Sequence, residues 1–172
     1  MPQDLSSQSL RELLVTHVAI LSEITKRGLT RTRGSLAGEL GERITLGAYG
    51  GELATAGMKS IDLIDGDGRT IQVKTRALEP GVNRIFAFSS FDFNVLVAIM
   101  LDATTFDIQW ARELTAADAS EIARYRVPSR DWAIATGKVK RAGVDITERL
   151  REAYSALDLN VQAGRLSGHG EQ

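Results

Sequence analysis

The 172-residue chain contains no cysteine and only two histidines. The first absence excludes a disulfide scaffold, an iron–sulfur cluster, a thiolate zinc site and a cysteine nucleophile together. Two histidines are too few for a histidine-rich metal site. No apolar run reaches the ~18 residues that a membrane-spanning helix needs, so no membrane partner is expected. The N-terminus, Met1-Pro2-Gln3-Asp4-Leu5-Ser6-Ser7, has neither the basic region nor the apolar core of a secretory signal, and a cytoplasmic location is expected. An excess of either charge is also missing: 21 Lys+Arg oppose 22 Asp+Glu, for a net charge of −1. The broad basic field of a protein that binds nucleic acid by bulk electrostatics is therefore absent, and any such partner must be held by local patches.

What is present is an apolar content of 43%, enough to offset the entropy of ordering and to exclude disorder for the bulk of the chain. The length suits one domain. Lys26, Arg27, Arg31 and Arg33 form one acid-free basic stretch, and Lys138, Lys140 and Arg141 form another. Taken alone, each reads first as solvated charge at a helix end.

Leu10, Leu13, Leu14, His17, Val18, Leu21 and Ile24 recur at three- and four-residue spacing, which predicts a helix from about Ser9 to Arg27, with Gly28 closing it. His17 lies on that stripe and is expected to be a packed, hydrogen-bonded histidine. A second helix is expected from Ser35 to about Gly47, carrying Glu39 and Glu42 on one side. The period then changes. Leu53–Ala56, Ile61–Ile64 and Thr70–Thr75 read as strands, the last two joined by Asp65-Gly66-Asp67-Gly68, a strong hairpin signal. Pro80-Gly81 opens a loop. The apolar run Phe93–Leu101 predicts a strand buried on both faces, followed by a strand at Phe106–Trp110. Thr115–Tyr125 and Asp145–Leu157 read as helices. The order describes a mixed α/β domain, a central sheet with helices against it.

Polar residues inside the strands carry the chemistry. Asp62 interrupts one strand, and Gln72 and Lys74 interrupt the next at a spacing that puts both on one face. Lysine is depleted in strand interiors. With a three-residue loop, Gly66–Gly68, Asp62 lies opposite Gln72, and Asp62, Gln72 and Lys74 share a face. With a two-residue Asp67-Gly68 turn, Asp62 pairs with Val73 and Gln72 goes to the other face. The three-residue loop is the one that makes chemical sense of the polar residues. A carboxylate and an amide oxygen are hard ligands of the kind Mg²⁺ or Mn²⁺ takes, and a lysine beside them can stabilise charge on a phosphate. A solvated hairpin face would carry the same residue types.

Gly38-Glu39-Leu40-Gly41-Glu42 on a helix, then Ser60-Ile61-Asp62, a short Asp-Gly turn and Gln72-Val73-Lys74-Thr75-Arg76 resembles the PD-(D/E)xK nuclease superfamily, the restriction-endonuclease-like fold. The resemblance covers about residues 34 to 115. It implies a core of a helix, a three-stranded antiparallel unit, a helix and a further strand, with an extra N-terminal helix and C-terminal helices. Residues 1–33 would be the N-terminal helix with its basic connector, 34–115 the nuclease core, 116–163 a C-terminal helical part and 164–172 a disordered tail. It implies a metal-dependent DNA endonuclease in which Asp62, Gln72 and Glu42, with Glu39 as a possible substitute, hold Mg²⁺ or Mn²⁺, and Lys74 is the catalytic lysine. Arg76, Arg84, Lys26, Arg27, Arg31 and Arg33 would grip the DNA backbone, and a homodimer would allow both strands to be cut. Ile61 stands where the pattern has proline, and Gln72 where it has Asp or Glu, which removes one negative charge from the metal site. A non-catalytic DNA-binding or assembly module of the same fold is the alternative.

Other motifs are weaker. The Asp-Gly pairs lack the spacing and terminal glutamate of an EF-hand, no phosphate loop follows a strand, and no nucleophile elbow is present. Trp110 and Trp132, with Phe86, Phe88, Phe91 and Phe93, could stack on bases, although core packing is their expected role.

Overall fold

The computed structural model describes residues 4–29, 35–55 and 57–167, with side chains as far as Leu157. Helix α1 spans Leu10–Lys26. Ser9 caps it: its hydroxyl accepts the Glu12 N–H, and the Glu12 carboxylate accepts the Ser9 N–H at 2.7 Å. The apolar stripe is present, yet α1 buries none of its side chains, and Leu10, Leu14 and Val18 are 58–74% exposed. His17, expected to be packed, is exposed with them, because no layer of the described residues covers the stripe.

Helix α2, Leu36–Tyr49, starts at its Ser35 cap and runs past Gly47 until Gly50, at φ +69°, ends it. Gly47 is tolerated inside the helix where α2 meets α5: a Cβ there would sit 3.6 Å from that of Ala153.

The main sheet has six strands in the order β1-β2-β3-β5-β6-β9, namely Glu52–Leu53, Leu63–Ile64, Thr70–Leu78, Val95–Asp102, Ile108–Thr115 and Val144–Asp145. All neighbours are antiparallel except β3 and β5, whose parallel register runs from Ile71 opposite Val95 to Leu78 opposite Asp102. The crossover between them holds a strand, β4 (Ile85–Phe88), where the resemblance implies a helix. With β8 (Asp131–Ala135) and β7 (Arg124–Arg126), β4 forms a second sheet in the order β4-β8-β7. Helices α3 (Ala116–Ile122), α4 (Thr136–Lys140) and α5 (Thr147–Ser167) complete the fold.

The pleat of β5 divides the interior. Val95, Val97, Ile99 and Leu101 join Leu40 and Ile44 of α2 and Leu150 of α5 in one core. Leu96, Ala98 and Met100 join Phe86, Phe88, Phe93, Trp110 and Ile134 in the other, between the two sheets. The expected burial of this strand on both faces is observed, and Trp110, Phe86, Phe88 and Phe93 are core residues. The molecule is thus a mixed α/β fold whose mixed central sheet is flanked by helices.

Several expectations are corrected. The segment after Pro80-Gly81 is not all loop, since β4 lies within it. The helix expected at Thr115–Tyr125 stops at Ile122, and Tyr125 is in a strand. The part from 116 to 163 contains three strands as well as helices. The missed strands are short, and β4 pairs with β8 almost fifty positions away, so tertiary contact rather than local pattern forms them. Helix α5 begins at Thr147, because Asp145 accepts the Thr147 N–H at 3.0 Å and the Thr147 hydroxyl is held by the Ala111 N–H at 2.9 Å. It runs to Ser167, into the expected tail; residues 168–172 lie outside the described residues.

Candidate functional site

The site is positioned by a five-residue turn. Asp65, whose side chain is 2% exposed, accepts the N–H groups of Asp67 (3.0 Å) and Arg69 (2.8 Å) through one oxygen and the Arg69 guanidinium (2.8 Å) through the other. Burial alone would raise its pKa; these donors outweigh burial and hold the carboxyl below its ordinary value. Gly68, at φ +79°, takes the left-handed position at the end of the loop. The pairing is Leu63 opposite Ile71 and Ile64 opposite Thr70, the register of the three-residue loop. Extended by one pair, it puts Asp62 opposite Gln72.

The ladder of β2 stops at Leu63, and the Asp62 side chain continues it. The Asp62 N–H donates to the Ile71 carbonyl at 2.8 Å, and one oxygen of its carboxylate accepts the Val73 N–H at 2.7 Å and the Gln72 side-chain amide. An ionised carboxylate only accepts, so Gln72 must turn its NH₂ toward Asp62 and its carbonyl oxygen away. Gln72 is 6% exposed. Lys74, half-buried two residues on, shares its face. Its Nζ stands 5.3 Å from the centre of the Phe88 ring. Burial lowers the Lys74 pKa; the Asp62 charge opposes that shift and Arg76 adds to it.

The loop before Asp62 is tied down. Ser60 has a positive φ of 62°, and its hydroxyl lies 3.0 Å from that of Ser89 and 2.9 Å from that of Ser90, beyond the end of β4. Three hydroxyls thus fasten the start of the first hairpin strand to the second sheet. Nothing in the local sequence marks this link, since its partners are separated by about thirty residues.

Glu42 and Glu39 are half-buried on α2, which packs on the other layer. Its Gly41 fits against Thr75, and Ile71, Val73 and Thr75 alternate with Gln72 and Lys74. A carboxylate from α2 reaches the Gln72–Lys74 face only past the edge of β3 that β2 leaves uncovered. Among the described residues, no three His, Cys, Asp or Glu side chains converge on a point where a metal ion could be held. The hydrogen bonds and charges described above bring together the Asp62 carboxylate, the Gln72 amide and Lys74.

Of the expected DNA contacts, Arg76 is exposed and donates to the Ile85 carbonyl at 3.0 Å, and Arg84 is exposed on the loop before β4. Lys26 is exposed in the last turn of α1, and Arg27 pairs with Glu23 at 2.9 Å. Arg31 and Arg33 lie outside the described residues. No helix among the described residues is long and apolar enough to cross a membrane.

No family model matches the chain, and no curated protein matches it in sequence.

Proposed function

We propose that this protein is a metal-dependent DNA endonuclease of the restriction-endonuclease-like class, hydrolysing phosphodiester bonds at Asp62, Gln72 and Lys74. The observation that carries this is the hairpin register, which sets Asp62 against Gln72 with Lys74 two residues further along the same face. Mg²⁺ commonly keeps several waters and takes one or two protein carboxylates together with substrate phosphates, so one carboxylate and one amide oxygen are a chemically adequate protein share. Asp62 would hold the ion with Gln72, whose amide must rotate to present its oxygen, and Glu42 or Glu39 would add a carboxylate past the edge of β3. When bound, such an ion lowers the pKa of a coordinated water and polarises the phosphate. The Lys74 ammonium supplies positive charge in a poorly solvated place, where charge developing on the phosphate is stabilised most strongly. Arg76 and Arg84, with Lys26, Arg27, Arg31 and Arg33, would hold the backbone without reading sequence. A homodimer would join through α1, whose exposed Leu10, Leu14, Val15 and Val18 make the apolar patch typical of an interface.

One observation favours the alternative, a non-catalytic DNA-binding or assembly module: one oxygen of the Asp62 carboxylate is already engaged without an ion, by Gln72 and Val73. The deciding experiment is cleavage of plasmid, single-stranded and branched DNA with Mg²⁺ or Mn²⁺, comparing wild type with Asp62→Asn and Lys74→Ala, each checked for folding by circular dichroism. Cutting by wild type that disappears in both folded variants is expected. Cutting that persists in both refutes the assignment. Absent cutting with metal-independent DNA binding selects the module.

A further inference from the structure

The second sheet carries a row of aromatic rings that the reaction proposed above does not use. Its register sets Phe88 opposite Trp132 and Trp132 opposite Tyr125, so the three cross the sheet in one row on one face. Phe91, from the loop after β4, stacks on Phe88 at 5.3 Å and meets Trp132 edge-on at 5.8 Å. Trp132 meets Tyr125 edge-on at 5.2 Å. The inner end of the row is Lys74, above the Phe88 ring. The outer end is in water: Phe88 is 2% exposed and Tyr125 is 51% exposed. Core packing accounts for the covered rings and leaves the half-exposed tyrosine unexplained.

The hairpin that carries this ring is basic. Arg124-Tyr125-Arg126-Val127-Pro128-Ser129-Arg130 contains no acid. Asp131 binds the Arg126 guanidinium with both oxygens, at 2.9 and 2.6 Å, and accepts the Ser129 hydroxyl at 2.6 Å, which fixes the hairpin. Arg124 and Arg130 are exposed. β7 is an edge strand, so Arg124 and Tyr125, on its opposite faces, flank an edge that no strand of this sheet covers.

We infer that this hairpin binds unpaired nucleotides, a base stacking on Tyr125 while Arg124 and Arg130 hold the adjoining phosphates. A base inside a duplex offers its edges and keeps its faces stacked, so an aromatic platform selects strands whose bases are free. The ligand is thus a single-stranded segment, held at the outer end of a row whose inner end is Lys74. The inference deepens the nuclease reading and rests on it for one element only, the cutting of that segment next to a single-stranded stretch.

The test is fluorescence anisotropy in EDTA, where no metal-dependent cutting occurs, with labelled oligodeoxyuridine, oligouridine and a blunt duplex as probes. Tyr125→Leu should weaken binding of the single strand about fivefold to a hundredfold, leave duplex binding nearly unchanged, and melt like wild type, while Tyr125→Phe, which keeps the ring, binds like wild type. Arg124→Gln with Arg130→Gln should weaken all probes and lower the salt slope by about one for each phosphate left without its arginine. Whichever sugar binds more tightly identifies the strand, and equal affinity shows that the sugar is not read; both agree with stacking. Wild-type affinity in Tyr125→Leu, equal losses on duplex and single strand, or a Tyr125→Phe variant as weak as Tyr125→Leu would overturn it. Stacking without cutting on any substrate would remove the nuclease reading and leave this surface. Cutting of intact duplex unaffected by Tyr125→Leu would do the reverse.

Discussion

Gln72→Glu tests the electrostatics of the site directly, because it puts a second carboxylate against that of Asp62. Gln72 is 6% exposed, so water screens the new pair poorly. At an effective dielectric constant of about 20, two unit charges about 4 Å apart repel by about 4 kcal/mol. The pair can avoid this by keeping one proton. Holding a carboxyl protonated at pH 7 when its free pKa is about 4.3 costs about 3.7 kcal/mol, which sets the ceiling. The variant should therefore lose about 3 kcal/mol of unfolding free energy at pH 7 in EDTA. The shared proton raises a folded-state pKa above its unfolded value, so the loss is absent below the unfolded value, grows as pH rises above it and levels off beyond the folded one. The gap should shrink to about 1 kcal/mol by pH 5 and close near pH 4, where a protonated Glu can donate to Asp62 as the amide does. Mg²⁺ should reverse the effect, since an ion between two carboxylates binds the native state alone and stabilises it by mass action. Wild type, with one carboxylate and a donor amide in the way, should respond less. Urea unfolding followed by tryptophan fluorescence, with EDTA or Mg²⁺ from about pH 4 to 8, measures all of this. A variant as stable as wild type at pH 7 in EDTA, or no more responsive to Mg²⁺, would show that residue 72 does not face the Asp62 carboxylate at close range.

Three further outcomes are expected. Lys74→Met removes a cation whose pKa burial has lowered; the unfolded chain takes up the proton more readily, so wild-type stability should climb with alkaline pH toward the ordinary lysine value and the variant's should not. Parallel urea-midpoint profiles would contradict this. Asp65→Ala leaves two N–H groups and Arg69 without their acceptor and should cost about 2–3 kcal/mol, discounted because Arg69 is 42% exposed; hydrogen exchange at the Val73 amide, held by Asp62 across the same hairpin, should speed up, and an unchanged rate would separate the turn from the site. Because the folded-state Asp65 pKa is lowered, its contribution is present above the unfolded value and is lost as pH falls through the folded one. Leu14→Asp with Val18→Asp should convert a dimer to a monomer in light scattering while the melting temperature of the domain holds, since both side chains are exposed within the chain; a monomeric wild type would dismiss the α1 interface.

Much of the architecture was legible locally. The stripe marks α1, Ser35 marks the start of α2 although its end falls at Gly50 and not near Gly47, and the apolar run Phe93–Leu101 can only sit between two layers. Asp62, Gln72 and Lys74 stood out because they break strand patterns. Sequence left two hairpin registers open, and the choice fell to Asp65, whose buried carboxylate collects three donors and stabilises the longer loop. Helical periodicity could show that α1 has an apolar face but not whether anything covers it, since burial depends on the rest of the fold. The second sheet was invisible for a related reason. Arg124–Arg126 is too short to overcome the helical bias of the preceding segment, and β4 becomes a strand only through its pairing with β8. Local sequence thus determined which residues could form helices, strands and a polar cluster, because capping and side-chain period act within a few residues. The tertiary structure alone decided that Ser60 meets Ser89 and Ser90, that Lys74 sits over Phe88, and that Tyr125 ends the row, because each of these meetings joins chain segments whose approach is set by how two sheets share one core.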